Sequence, residues 1–283
     1  MKNYLKKLAA LSIIGLGVLS CDSEQADVIE VQESSISVEE IQLSDEADLI
    51  SEEVTNIVED VYASDEISAL SRGPYNSDYL PDCVTITTVV TDTTVEKTIE
   101  FEDGCELPNG NVVSGTIKLS YARDMELMTK TLNFSLENFV FNDVSIEGSS
   151  SIIRTRSNGN GNPQSEATAN FEAEWPDGTS ASFSGTRTRE WIEGYGTGFW
   201  GDNVFLITGN RTFTNREGTT YSKEILVPLR RELACRFIVS GVLEISRGDV
   251  TATLDFGDGT CDSKGILTNA DGESQEINLR RFR

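Results

Sequence analysis

The chain contains no histidine. That absence excludes nucleophilic machinery built on a histidine base, His-ligated zinc or iron, and any proton transfer run by an imidazole. Catalysis by paired carboxylates survives the exclusion, but with 47 acidic residues a pair can always be chosen, so carboxylates alone nominate no site. No catalytic motif is present, and the expectation is a protein that is not an enzyme and takes no cofactor or metal. Basic residues are scarce as well, 23 against 47 acids for a net charge of -24, which argues against nucleic acid as a partner. Beyond the N-terminus no apolar run reaches the length of a membrane-spanning helix.

What is present begins with Lys2, Lys6 and Lys7 followed by an apolar run from Leu8 to Leu19, the make-up of an export leader over residues 1–20. Leu16-Gly17-Val18-Leu19-Ser20-Cys21 resembles the lipobox of bacterial lipoproteins, and the resemblance implies cleavage before Cys21 and lipidation of its thiol. One acyl chain anchors only marginally, so the implied anchor carries several. Loss of the three leader lysines takes the net charge from -24 to -27 and leaves 263 residues, enough for one large domain or two small ones.

From Asp22 to Ser71 the chain has 16 acidic residues and no basic one. Residues 21–72 therefore read as an acidic tether, with Asp22 to Leu43 as a solvated spacer. Within it Ile50, Val54, Ile57, Val58 and Val61 recur at helical spacing, and Ser44 is a plausible N-cap for a marginal helix over residues 45–62. Its apolar stripe either docks on the following domain or belongs to a linker. Arg72-Gly73-Pro74 places a domain boundary near residue 72.

Residues 73–283 read as a β domain. Short runs of Val, Ile, Thr, Phe and Tyr alternate with turn dipeptides at Asn109-Gly110, Asp177-Gly178, Glu217-Gly218 and Asp271-Gly272. The fold class is all-β, a mostly antiparallel meander of about twelve strands: an open sheet, a half-barrel or a sandwich. Asn158 to Pro163 reads as a flexible loop and a weak second boundary.

Setting aside Cys21, four cysteines remain, and an even set in an exported chain reads as two disulfides. Cys83 to Cys105 and Cys235 to Cys261 look like copies of one hairpin, each closing on a Phe-x-Asp-Gly type of turn. Pairing Ile86 with Phe101 sets Cys83 opposite Gly104, and pairing Val239 with Phe256 sets Cys235 opposite Thr260. Each pair misses by one residue, which a bulge at the Asp-Gly would absorb, so the predicted bridges are Cys83–Cys105 and Cys235–Cys261. Asp255, Asp258 and Asp262 depart from known calcium-loop spacing and read as a solvated turn.

All three tryptophans lie between Trp175 and Trp200, where Trp191, Tyr195, Phe199 and Trp200 are crowded with glycines. Flat rings beside Glu190, Glu193, Asp202 and Asn203 suit a glycan- or peptide-binding segment over residues 175–203, but buried aromatics usually pack, which favours a loop that folds back to cap the core. Lipobox, acidic tether and repeated hairpin closure together resemble exported lipoproteins of the Bacteroidota. The resemblance implies the cell outer membrane, on its periplasmic or surface face, and no particular activity; Asp22 resembles the inner-membrane retention aspartate of enterobacterial lipoproteins and leaves the destination membrane open. The expected function is a lipid-anchored, non-catalytic structural or interaction module of the envelope. A glycan- or peptide-binding surface lipoprotein is the alternative, and a lipid carrier would require an apolar trough in the sheet.

Overall fold

The computed structural model describes residues 35–71 and 73–279. Cys21, the leader and most of the expected spacer lie outside the described residues. One helix, α1 (Val38–Ser71), precedes thirteen strands: β1 (Val84–Val90), β2 (Thr94–Glu106), β3 (Val112–Ala122), β4 (Thr129–Phe141), β5 (Val144–Thr155), β6 (Gln164–Glu174), β7 (Ser180–Glu193), β8 (Val204–Thr214), β9 (Thr220–Glu232), β10 (Ile238–Arg247), β11 (Val250–Asp258), β12 (Lys264–Asn269) and β13 (Ser274–Asn278). Every strand pairs antiparallel with its neighbours in sequence, so the described strands make a single open sheet in chain order. This is the expected meander with thirteen strands in place of about twelve, and it is neither a sandwich nor a closed barrel.

Alternation dictates which face is wet. In β6, Ser165, Ala167, Ala169, Phe171 and Ala173 are buried while Glu166, Thr168, Asn170 and Glu172 are exposed. Each of the four turn dipeptides falls between consecutive strands, and in each the glycine N–H donates three residues back, to Leu107, Trp175, Asn215 or Asn269, with the glycine at positive φ. Asn158 to Pro163 is the same device and not a flexible boundary: Gly161 N–H donates to Asn158, and the Asn158 side chain accepts from the N–H groups of Asn160 and Asn162 at 2.9 and 3.1 Å.

The helix departs from the sequence reading. It is 34 residues long, about 50 Å at the usual rise, and it begins well before the expected residue 45. Its cap is Ser37, not Ser44: the Ser37 hydroxyl accepts from Glu40 N–H at 3.3 Å while the Glu40 carboxylate accepts from Ser37 N–H at 2.6 Å, a capping box. The described residues, α1 and the strands alike, fall in one compact unit.

Every residue from Glu53 to Glu59 is buried. That is nearly two turns facing all directions, and a helix lying on a flat sheet would leave one side wet. The sheet therefore curls around the helix, and the core is the space between them, filled by Ile50, Val54, Ile57 and Val58 of α1 and by residues such as Ile99, Ile117, Phe139, Ile152, Phe171 and Ile245.

Both predicted disulfides are present, Cys83–Cys105 and Cys235–Cys261, each with Cα atoms 5.7 Å apart. The expected hairpin registers are each wrong by two residues. Ile86 faces Ile99 and Val84 faces Phe101, and in the second unit Ile245 faces Ala252. A slip of two keeps every side chain on its own face, so the apolar pattern cannot distinguish the two pairings. The irregularities that bring the sulfurs together lie in β2 between Phe101 and Cys105, and between β10 and β11 near Ser240.

Candidate functional site

The concave side of a curled sheet is where a ligand would sit, and here α1 occupies it. The sheet turns buried cations inward: Lys97, Lys130, Arg154, Arg187, Arg189, Arg211, Lys223 and Arg231. The acids of α1 meet them. Asp65 pairs with Lys97 at 2.9 Å, Glu66 with Arg154 at 3.1 Å and Glu59 with Arg189 at 2.8 Å. Glu52 pairs with Arg231, and Glu40 near the helix start pairs with Arg247. The helix thus crosses the sheet from its late strands at Glu40 to its early ones at Asp65.

The densest cluster surrounds Asp48, which pairs with Lys223 at 2.7 Å, Arg211 at 3.3 Å and Arg187 at 3.4 Å. Burial alone would raise the Asp48 carboxyl, but the charges of Lys223, Arg187 and Arg211 outweigh it and hold that carboxyl well below the usual range. The cations bear the strain: burial, with repulsion from Arg187, brings Arg211 down to about 10. At Glu66 burial is outweighed by the Arg154 charge and by hydrogen bonds from Tyr195, Arg154 and Tyr62, so its carboxyl is lowered. Glu53 has hydrogen bonds from Tyr79, Asn109 and Asn111 but no cation, and there burial prevails and raises the carboxyl.

A cavity of about 50 Å³ remains between α1 and strands β6–β11. Its wall mixes Asp48, Arg187, Arg189, Arg211 and Lys223 with the aliphatic side chains of Ile207, Leu229, Leu243, Ile245 and Leu254; Ile207 lies directly across from Arg189 and Ile245 across from Lys223. The Nε–H groups of Arg187, Arg189 and Arg211 on this wall are buried without a hydrogen-bond partner. Neither the inward cations nor this cavity follows from the sequence reading. The available signal was the alternation itself, since Arg187, Arg189 and Arg211 occupy positions that the strand pattern turns to the core.

The aromatic segment faces inward. Trp191 is buried, donates its indole N–H to Asn203 at 3.1 Å and stacks edge-on against Tyr195 at 5.0 Å. Tyr195 donates to Glu66 at 2.7 Å. Trp200, in a single 3-10 turn at Trp200–Asp202, is half-buried against Tyr79, and its N–H donates to Asp78 at 2.6 Å. Trp175 lies under the Arg216 guanidinium at 4.1 Å. Only Phe199 of the five candidates is exposed, at 56 %. The neighbouring polar groups are engaged too: Glu190 accepts from Asn160 and Asn162, Glu193 from Arg230, and Asp202 from Thr197. The segment caps the core and does not offer a strip of rings for stacking.

Asp255, Asp258 and Asp262 each accept from a backbone N–H two residues ahead, the geometry of turn-forming carboxylates. Among the described residues no group of three or more Asp, Glu, Cys or His side chains is placed to hold a metal ion. The sequence matches no known protein family, and no curated protein or solved structure is significantly similar to it.

Proposed function

We propose that this protein is a lipid-anchored, non-catalytic module of the bacterial cell envelope, held at the outer membrane through Cys21 and working through its outer surface. The observation that carries this reading is the occupied trough. The concave face, which in a carrier would be an open apolar site, is filled by the protein's own helix, and the acids of that helix are matched to the inward cations of the sheet. What remains for a partner is the polar convex face and the edge strand β1, whose residues from Thr85 to Val90 are exposed. Two disulfides support an oxidising compartment. The turned-in rings of Trp191, Tyr195 and Trp200 weigh against the glycan-binding alternative.

The test is expression of the full chain in a lipoprotein-processing bacterium, followed by fractionation and intact mass analysis. The expected result is a membrane-bound chain beginning at an acylated Cys21 and a Cys21→Ala variant that leaves the membrane fraction. A wild-type chain recovered with an unmodified N-terminus beyond residue 21 would refute the anchor.

A further inference from the structure

The space that α1 leaves within the sheet has the make-up of a small-molecule site. Arg187 in β7 and Arg211 in β8 are close neighbours on the inner face, because Gly185 lies directly opposite Arg211 and Gly209 opposite Arg187. Diagonal positions on adjacent strands bring two long side chains within reach of one small group. Both guanidinium groups reach Asp48 through their terminal nitrogens, which leaves their Nε–H groups buried without a partner on the cavity wall. A buried donor left unsatisfied costs about 1–3 kcal/mol, so these two, with the Nε–H of Arg189 a third on the same wall, mark a place where an acceptor belongs.

Charge sets the sign of that acceptor. Arg189 and Arg231 are matched one to one by Glu59 and Glu52, whereas Arg187, Arg211 and Lys223 share Asp48 and the nearby Asp45. Three cations against two carboxylates leave a surplus of one positive charge. Beside them on the inner face lie the apolar side chains of buried Ile207, Leu243 and Leu254, with Ile207 directly across from Arg189, a lining that a fully hydrated inorganic anion would not match. The volume sets the size. At about 50 Å³, where one water needs roughly 10–15 Å³, the cavity takes a guest of about three to five heavy atoms and excludes a long acyl chain.

We propose that this cavity binds a short-chain aliphatic monocarboxylate of the acetate or propionate class, its carboxylate accepting from Arg187 and Arg211 Nε–H and its alkyl end lying against Ile207, Leu243 and Leu254. The site is independent of the lipid anchor and of what the outer surface contacts.

The experiment uses the protein with its helix and disulfides intact, refolded from denaturant with and without methyl-¹³C propionate so that slow entry into the core does not hide binding. Thermal unfolding is compared with sodium chloride at equal ionic strength, with propanol and with propylammonium. Propionate alone is expected to raise the Tm and to give one bound ¹³C methyl signal at one equivalent. Arg211→Lys keeps a cation but loses the Nε–H, and is expected to weaken binding about tenfold or more. Ala167→Leu places a side chain in the cavity and is expected to abolish binding in a protein that still folds; it carries the test if the lysine variant does not fold. Propionate acting no differently from chloride means a cavity holding ordered water only and overturns the proposal. So does equal stabilisation by propanol, or an Ala167→Leu variant that binds as tightly as the parent.

Discussion

Glu66 and Arg154 have side chains 2 and 3 % exposed, 3.1 Å apart, and each is useful only while the other is present. Removing one partner of a buried pair strands the other charge in a medium that cannot solvate it, at a cost of about 3–5 kcal/mol, whereas replacing both with apolar groups of like size is often neutral. Glu66→Ala is therefore expected to lower stability by about that amount in urea unfolding, and the Glu66→Leu/Arg154→Met pair to recover only part of it, because the hydroxyls of Tyr62 and Tyr195 still lose their acceptor. Asp60 differs because, among the described residues, no cation is paired with it. Burial, outweighing a hydrogen bond from Ser77 and reinforced by Asp78, raises its carboxyl to about 6. A folded value above the unfolded one means a stabilising contribution that is complete at pH below the unfolded value and lost as pH rises through about 6. Asp60→Asn should thus add about 1–2 kcal/mol at pH 8, after discounting for its partial exposure, and nothing near pH 3. Asp48, Glu66 and Glu40 have lowered values, so their contribution is present above the ordinary carboxylate range and is lost as pH falls through their folded values. Stability measured against pH should peak between about 4 and 6.

At the scale of elements, α1 and the strands solve each other's problem. An isolated acidic helix is marginal in water, and a sheet with buried arginines on its inner face would be unstable alone. Together they pair. Ile57, fully buried in α1, is a direct probe of that docking, and Ile57→Ala is expected to cost about 2–5 kcal/mol in the same cooperative transition that unfolds the sheet. A separate early transition for the helix would show that it is not part of the core. The curl that lets the sheet enclose the helix depends on glycines within strands. Gly209 has φ +115° and its backbone lies so close to Thr186 that a Cβ would stand 2.3 Å from that carbonyl oxygen. Gly209→Ala should cost upward of about 1–3 kcal/mol, seen as a lower urea midpoint, because β7 and β8 would have to part. The turn positions were legible in the sequence, since Asn-Gly and Asp-Gly demand a particular backbone. The registers of the cysteine hairpins were not, because pairings two residues apart satisfy the same alternation.

For the molecule as a whole, the open sheet leaves two edges, and the disulfide Cys83–Cys105 ties the first of them down. From Thr85 to Val90, β1 has both faces exposed and pairs only with β2, so little but that bridge and its ladder holds it. Cys83→Ser/Cys105→Ser is expected to lower stability by about 2–4 kcal/mol and to speed amide exchange in β1 before any other strand. Cys235–Cys261 joins interior strands, and its loss should spread across the sheet without singling out one element.

Alternation, turn dipeptides and cysteine spacing were enough to determine an all-β antiparallel meander with two hairpin bridges, because each of those signals is local. The acidic stretch before it reads as a tether for the same reason, since sixteen acids without a base have water as their partner when neighbours in sequence are all that is counted, and docking of its helix stays open. The acids of α1 find their partners, Lys97, Arg154, Arg189, Arg231 and the trio around Asp48, roughly 30 to 180 residues away, and meet them only once the sheet has curled. Tertiary structure alone decided that the helix is core, that the aromatic segment caps it, and that a charged cavity lies between, since buried charge is stable only where distant strands bring its complement within hydrogen-bonding reach.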